Sequence, residues 1–167
     1  MTSSKIRRHD ILIRNEAPGD APAIGQLITA AFKLLPQSSG TEASIVEALR
    51  ASDALTLSLV AEDGDEMVGY LAASAARVGT QNGWGLIGPI AVLPSRHRQG
   101  IGTAMMDNAV TRLRATCRGA ALVGDPAYYG RFGFRTYPGL GITGCPPEVV
   151  QAIPFDAAKA ALGERLY

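Results

Sequence analysis

The sequence predicts an α/β protein of the α+β kind, with a central, mostly antiparallel mixed sheet flanked by helices. Three observations predict it. Leu55, Leu57 and Leu59 alternate with Thr56 and Ser58, and the polar run Glu62 to Glu66 turns the chain back into a second β-rich stretch, as a hairpin does. A second glycine-bearing turn, Gly79 to Gly83, returns it into the apolar run that starts at Trp84 and ends at Leu93. A basic, glycine-punctuated loop, a helical stretch and the short apolar run Ala120 to Val123 then follow, the order of a right-handed parallel crossover.

Taken in order, Met1 to Asp10 is a polar, basic leader with no apolar core, unlike a secretory signal, and residues 11–167 are expected to form one domain. Ile11 to Ile13 reads as a first strand. Gly19-Asp20 stops it, with Asp20 placed to cap a helix whose inner face is Ile24, Leu27, Ile28 and Ala31 and which Pro36 ends. Ser39 and Glu42 match a capping box before a second helix with the stripe Ile45, Val46 and Leu49. Met67 to Val78 carries Gly69, Ala72, Ala73, Ala75 and Ala76, small enough for a ligand to lie against the strand or for a helix to pack closely on it. A helix is expected from Thr103 to about Arg118, with Met105, Met106, Ala109, Val110 and Leu113 inward and Gly119 as a left-handed cap. Asp125-Pro126 opens a short helix, with Asp125 as cap and Pro126 at its first position. Phe132-Gly-Phe134 leads into a further strand, Pro138 to Pro147 is loop, Val149 to Phe155 is the last strand and Ala157 to Tyr167 is a tail.

The composition narrows the function classes. With 167 residues, 47% hydrophobic and 19% charged, the chain is globular, and a net charge of +1 argues against nucleic acid as a partner despite the local cluster Arg96, His97 and Arg98. Two cysteines, Cys117 and Cys145, make neither a disulfide framework nor a spaced metal site, and Cys117 reads as a buried structural thiol. No apolar run reaches the roughly 20 residues of a membrane helix. No metal and no membrane partner is expected, and a reducing cytoplasm suits the composition.

The run Gly88 to Thr103 carries the chemistry. An apolar strand leads into a glycine loop and a helix start, where backbone N–H groups lack intrahelical partners and the helix dipole favours an anion. Gly100 and Gly102 let the backbone approach a bulky ligand. Pro89 lies inside the strand and cannot donate to a ladder, so a bulge or a break in pairing is expected at Gly88-Pro89. A dinucleotide fingerprint is disfavoured because Met105 stands where a third glycine is needed.

His97-Arg-Gln-Gly-Ile-Gly102 resembles motif A of the GNAT superfamily of acetyl-CoA-dependent N-acetyltransferases, written Gln/Arg-x-x-Gly-x-Gly/Ala; His97 departs from the usual first residue. Gly124 to Phe134 is similar to the family's later Tyr-x-x-x-Gly-Phe element, and together with Thr41 to Arg50 it points to a YhbS-like branch of small bacterial acetyltransferases. The resemblance covers roughly residues 11–155. It implies a sheet splayed at a bulged strand. It also implies acetyl-CoA as co-substrate, with Ile90, Ala91 and Val92 against the pantetheine and acetyl end, and Arg98, Gln99, Gly100, Ile101, Gly102 and Thr103 on the pyrophosphate. The backbone N–H near Ile90 is the oxyanion donor it implies, and Tyr129 the general acid, with Tyr128 able to exchange roles with it.

The resemblance implies direct transfer of the acetyl group to a primary amine in a ternary complex; the acceptor is unspecified, and homodimerisation is common in the superfamily. The alternative is a non-catalytic acyl-CoA-binding or sensor module, motivated by one gap: Trp84 to Leu93 contains no Glu or Asp to serve as base. Water, Glu42 or Glu47 are the substitutes, whereas Asp125 is explained as a cap. His9 falls in the leader, and His97 is expected to face solvent or phosphate.

Overall fold

A computed structural model describes residues 11–33, 35 and 40–155. The leader with His9, the stop at Pro36, the capping residue Ser39 and the C-terminal tail lie outside the described residues.

Among the described residues, six strands form one sheet in sequential order: β1 (Ile11–Asn15), β2 (Leu55–Asp63), β3 (Glu66–Val78), β4 (Gln81–Val92), β5 (Gly119–Val123) and β6 (Val150–Pro154). β1 pairs with β2 antiparallel, from Ile11 opposite Asp63 to Asn15 opposite Leu59. β4 and β5 pair in parallel and β5 and β6 antiparallel, so the mixed, helix-flanked sheet is the one expected. The hairpin turns are short. Only Gly79 and Thr80 separate β3 from β4, which therefore begins at Gln81 rather than Trp84. The strand expected after Phe134 does not form: Arg135 makes a single antiparallel bridge with Ala152 before Pro138 and Gly139 take the chain away from the sheet.

The first helix, α1 (Ala21–Phe32), buries Ile24, Leu27 and Ile28. Asp20 holds the expected position before it, but its side chain does not cap. Arg14 takes it instead, at 2.7 Å, while reaching Glu62 at 2.9 Å, and the Ala17 amide donates to the same carboxylate at 2.7 Å. In α2 (Glu42–Ala51) the residue before the helix is Thr41, Val46 is buried, and Ile45 is 48% exposed, so the apolar stripe is narrower than the sequence suggests. The long helix α3 (Ile101–Thr116) starts two residues earlier than expected, because the Gly100 carbonyl already accepts from the Ala104 amide at 3.0 Å. It ends at Thr116, and Gly119 is no cap but the first residue of β5, opposite Trp84 and Pro154. The short α4 (Pro126–Tyr129) is capped as expected: Asp125 Oδ1 accepts from the Ala127 amide at 3.0 Å.

The chain divides into two compact units, Met1–Ala72 with Pro89–Ala109, and Ala73–Gly88 with Val110–Tyr167. In the first, Ile24, Leu27, Ile28 and Val46 pack with Val60, Tyr70, Ala72 and Ala91. On β3, a Cβ at Gly69 would lie 2.9 Å from Met105 Cε, so the small side chain there serves close packing by α3. In the second unit, Val78, Trp84, Ala121 and Ala152 form the core, and Leu113 lies 3.3 Å from where a Cβ on Gly85 would sit.

The Arg14 cluster has a pH signature. The Arg14 guanidinium holds the Asp20 and Glu62 carboxyls below the ordinary carboxylate range. Lowered folded-state values mean that this stabilisation is complete above the unfolded pKa of about 4 and is lost as pH falls through the folded values. Arg14→Met is expected to lower stability at pH 7 by about 1 kcal/mol and to flatten the acid limb of a Tm-against-pH curve. An unchanged acid limb in the variant rejects the assignment.

Candidate active site

The expected break in β4 lies where its parallel ladder ends. Pairing with β5 runs from Trp84 opposite Gly119 to Ile87 opposite Leu122 and stops at Gly88. Gly88 has φ of 150°, and a Cβ there would meet nothing within 4 Å, so the backbone angle and not space demands glycine. Pro89 follows with no N–H to offer. Further on, the Leu93 amide donates to the Val68 carbonyl at 3.0 Å, on the β3 side. Strand alternation then turns the polar groups of Ile90 and Val92 to the opposite edge, beyond the end of the β5 ladder, and those of Ala91 to β3. The Ala91 side chain is buried in the first unit's core.

The strand passes through a 3-10 turn, Pro94–Arg96, into the loop expected to hold phosphate. Arg98 has φ of 64°, a left-handed conformation that costs a non-glycine residue roughly 1–2 kcal/mol. Gly100 is also left-handed, at 82°, and a Cβ there would project into open space. Alternating conformations of this kind turn successive amides into one concavity, continued by the first-turn amides of α3. Arg98 to Thr103 all lie on this loop and first turn, and exposed amides of this kind suit an anion.

Two neighbours make contacts that the sequence does not announce. His97 is exposed, and its Nε2 lies 3.0 Å from the Val92 carbonyl. Arg96 belongs to no free basic cluster. Its Nη2 donates to Asp63, its Nη1 to Glu66 at 3.0 Å and its Nε to the Gln99 side-chain oxygen at 3.0 Å.

In the second unit, Tyr129 sits over Gly124, where a Cβ would lie 2.4 Å from the ring. Tyr128 packs edge-on to it at 4.8 Å and carries the Arg131 guanidinium over its own face at 4.6 Å. Buried Gln151 donates to the Gly124 carbonyl at 3.0 Å, which steadies the chain under the tyrosine. Burial, with smaller contributions from Tyr128 and Asp125, pushes the Tyr129 phenol up to about 12.

The carboxylates separate clearly. Glu47 pairs with Arg50 at 2.8 Å, and Asp125 is a cap. Glu42 lines a cavity of about 340 Å³ with Ile28, Thr29, Phe32, Lys33 and others. A further group escaped the sequence: Glu16 accepts from Arg50 at 2.9 Å and from Ser58 at 2.6 Å, and Ser58 meets the Tyr70 hydroxyl at 2.6 Å. Burial raises the Glu16 pKa, but Arg50 and Ser58 outweigh it and leave the carboxyl below its ordinary value, so it is a poor base. Its members come from three separate elements and the turn after β1, and no local spacing announces it.

Beyond Gly88 the ladder with β5 is over, and a loop with two left-handed residues leads into α3. Comparison with known proteins gives the family. Residues 55–136 match the profile of the "Acetyltransferase (GNAT) domain". The N-acetyltransferase YhbS of Escherichia coli K12, itself uncharacterised, is 37% identical over 128 residues, covering 75% of this chain and 74% of its own. A GNAT family acetyltransferase from Brucella melitensis, solved with acetyl-CoA, superimposes with a TM-score of 0.78 at 40% identity, over 89% of this chain and 90% of the other. The crystal structure of YhbS from E. coli, in complex with CoA, gives 0.79 at 30% identity, over 89% and 83%. The chain belongs to the GNAT family of N-acetyltransferases.

Proposed function

We propose that this protein moves the acetyl group of acetyl-CoA to a primary amine by direct attack in a ternary complex. The observation that carries this reading is the end of the β4–β5 ladder at Gly88-Pro89, just before the Arg98–Thr103 loop. The backbone groups of Ile90 and the Val92 amide, on the edge that β5 no longer covers, suit the amides of a pantetheine arm, with Ala91 as the spacer between them. Arg98, Gln99, Gly100, Ile101, Gly102 and Thr103 suit the pyrophosphate. The acetyl-CoA and CoA held by the Brucella and E. coli proteins support the same ligand here.

The chemistry then follows in balanced steps. The lone pair of a neutral amine attacks the thioester carbonyl carbon. The Ile90 N–H stabilises the oxyanion, the C–S bond breaks, and the sulfur leaves with a proton from the Tyr129 hydroxyl. The amine proton passes to water, or to Glu42, which lines the cavity between α1 and α2. The products are an N-acetyl amide and CoA.

Calorimetry with acetyl-CoA, followed by thiol release in the presence of a panel of primary amines, tests the reading. Binding in about the micromolar range with thiol release from at least one amine is expected. Absence of binding sinks it, and binding without release from any amine favours a non-catalytic acyl-CoA-binding module. Tyr129→Phe should lower kcat by about 10² with acetyl-CoA affinity unchanged. Because the phenol stays protonated to about 12, Tyr129 adds no basic limb to the wild-type pH–rate profile below about pH 11. An unchanged kcat removes Tyr129 from the mechanism.

A further inference from the structure

The loop that suits the pyrophosphate begins with Arg96, His97 and Arg98, and the first two are turned toward the protein. Arg96 is drawn away from the loop's mouth. Its side chain is 16% exposed and ends on Asp63, whose side chain is 4% exposed, and on Glu66. These two acids bracket the β2–β3 hairpin, so one guanidinium joins that hairpin to the turn before the loop. The third contact, to Gln99, holds a residue inside the loop itself. His97 secures the other side: its ring lies on the carbonyl of Val92, on the edge of β4 beyond its ladder with β5. Between these anchors Arg98 is kept at φ of 64°, which a free loop would relax.

We propose that Arg96 and His97 are positioning residues for acetyl-CoA, which brace the loop between the β2–β3 hairpin and the open edge of β4 and do not themselves contact the phosphates. This rests on the function proposed above. It reverses what charge alone implies. If Arg96 attracted the pyrophosphate directly, Lys would serve in its place, and removing the negative charge of Asp63 would tighten binding. If Arg96 works as a brace, its planar fork is needed to meet Asp63, Glu66 and Gln99 together, and Lys cannot replace it. Loss of the Asp63 charge then weakens binding, because the half-buried guanidinium loses its most buried partner and the loop its anchor.

The test is acetyl-CoA affinity by calorimetry for Arg96→Lys, Asp63→Asn, His97→Ala and His97→Gln, each measured well below its own Tm. Arg96→Lys and Asp63→Asn should each weaken binding by about tenfold or more, and His97→Ala by about threefold. His97→Gln, whose amide can still donate to the Val92 carbonyl, should recover the loss. Stoichiometry near one shows that the folded fraction is being read, and exposed His97 gives variants that fold even where the Asp63 variant does not. Wild-type affinity in Arg96→Lys, or unchanged or tighter binding in Asp63→Asn, overturns the proposal, as does His97→Ala binding like the wild type. Failure of the wild type to bind acetyl-CoA is a different result, and defeats the proposed function itself.

Discussion

Gly119→Ala is expected to destabilise the protein by about 3 kcal/mol and to lower Tm by roughly 6–12 °C. A Cβ there would lie 2.4 Å from Cζ3 and 2.6 Å from Cη2 of Trp84, and 2.7 Å from the Ile153 carbonyl oxygen. None of these neighbours yields cheaply. Trp84 is 1% exposed at the centre of the second unit's core, and the carbonyl belongs to β6, which pairs with β5. A methyl group therefore opens either the tryptophan packing or the β5–β6 ladder. Thermal unfolding followed by circular dichroism reads the effect, and a Tm within about 2 °C of the wild type would show that the contact relaxes at little cost.

Gly102→Glu is expected to keep the fold and to abolish acetyl-CoA binding, with affinity lowered by more than about 10². Gly102 is the second residue of α3 and half-buried. A carboxylate in the first turn of a helix is favourable to the helix, so Tm should hardly move. The same carboxylate stands where the diphosphate is proposed to sit, and like charges about 4 Å apart repel by about 4 kcal/mol near a protein surface. Calorimetry beside a thermal melt separates the two effects. Affinity within tenfold of the wild type would move the diphosphate off this loop.

Much of the fold was legible in the sequence because its signals are local. Alternation at Leu55 to Leu59, the hairpin turn before Glu66, the 3.6-residue spacing of Ile24, Leu27 and Ile28, and the Asp125-Pro126 start each involve a few neighbouring residues, and each is present in the structure. Departures arise where a partner outside the local pattern decides. Asp20 stands before α1 as a cap should, but Arg14 of β1 takes its carboxylate. Gly119 looked like a helix terminator, whereas the ring of Trp84 across the β4–β5 ladder is what excludes a side chain there. The strand expected after Phe134 was drawn off by the proline- and glycine-rich run that follows, leaving one bridge.

The candidate site divides in the same way. The Gly88-Pro89 step and the glycines of the loop were readable because missing amides and left-handed backbone are properties of single residues. Side-chain allegiance was not readable. Arg96, His97 and Arg98 look equivalent as a basic triplet, yet Arg96 turns to Asp63 and Glu66 and His97 to Val92. The sequence by itself determined most of the order of elements and the place where the β4–β5 ladder ends, and it pointed to the loop proposed to receive an anion, since these depend on backbone chemistry read over short spans. Only the tertiary structure decided which charges remain available to a ligand, because a charge goes to whichever partner the fold brings within hydrogen-bonding distance, and for Arg96 that partner lies some thirty residues away.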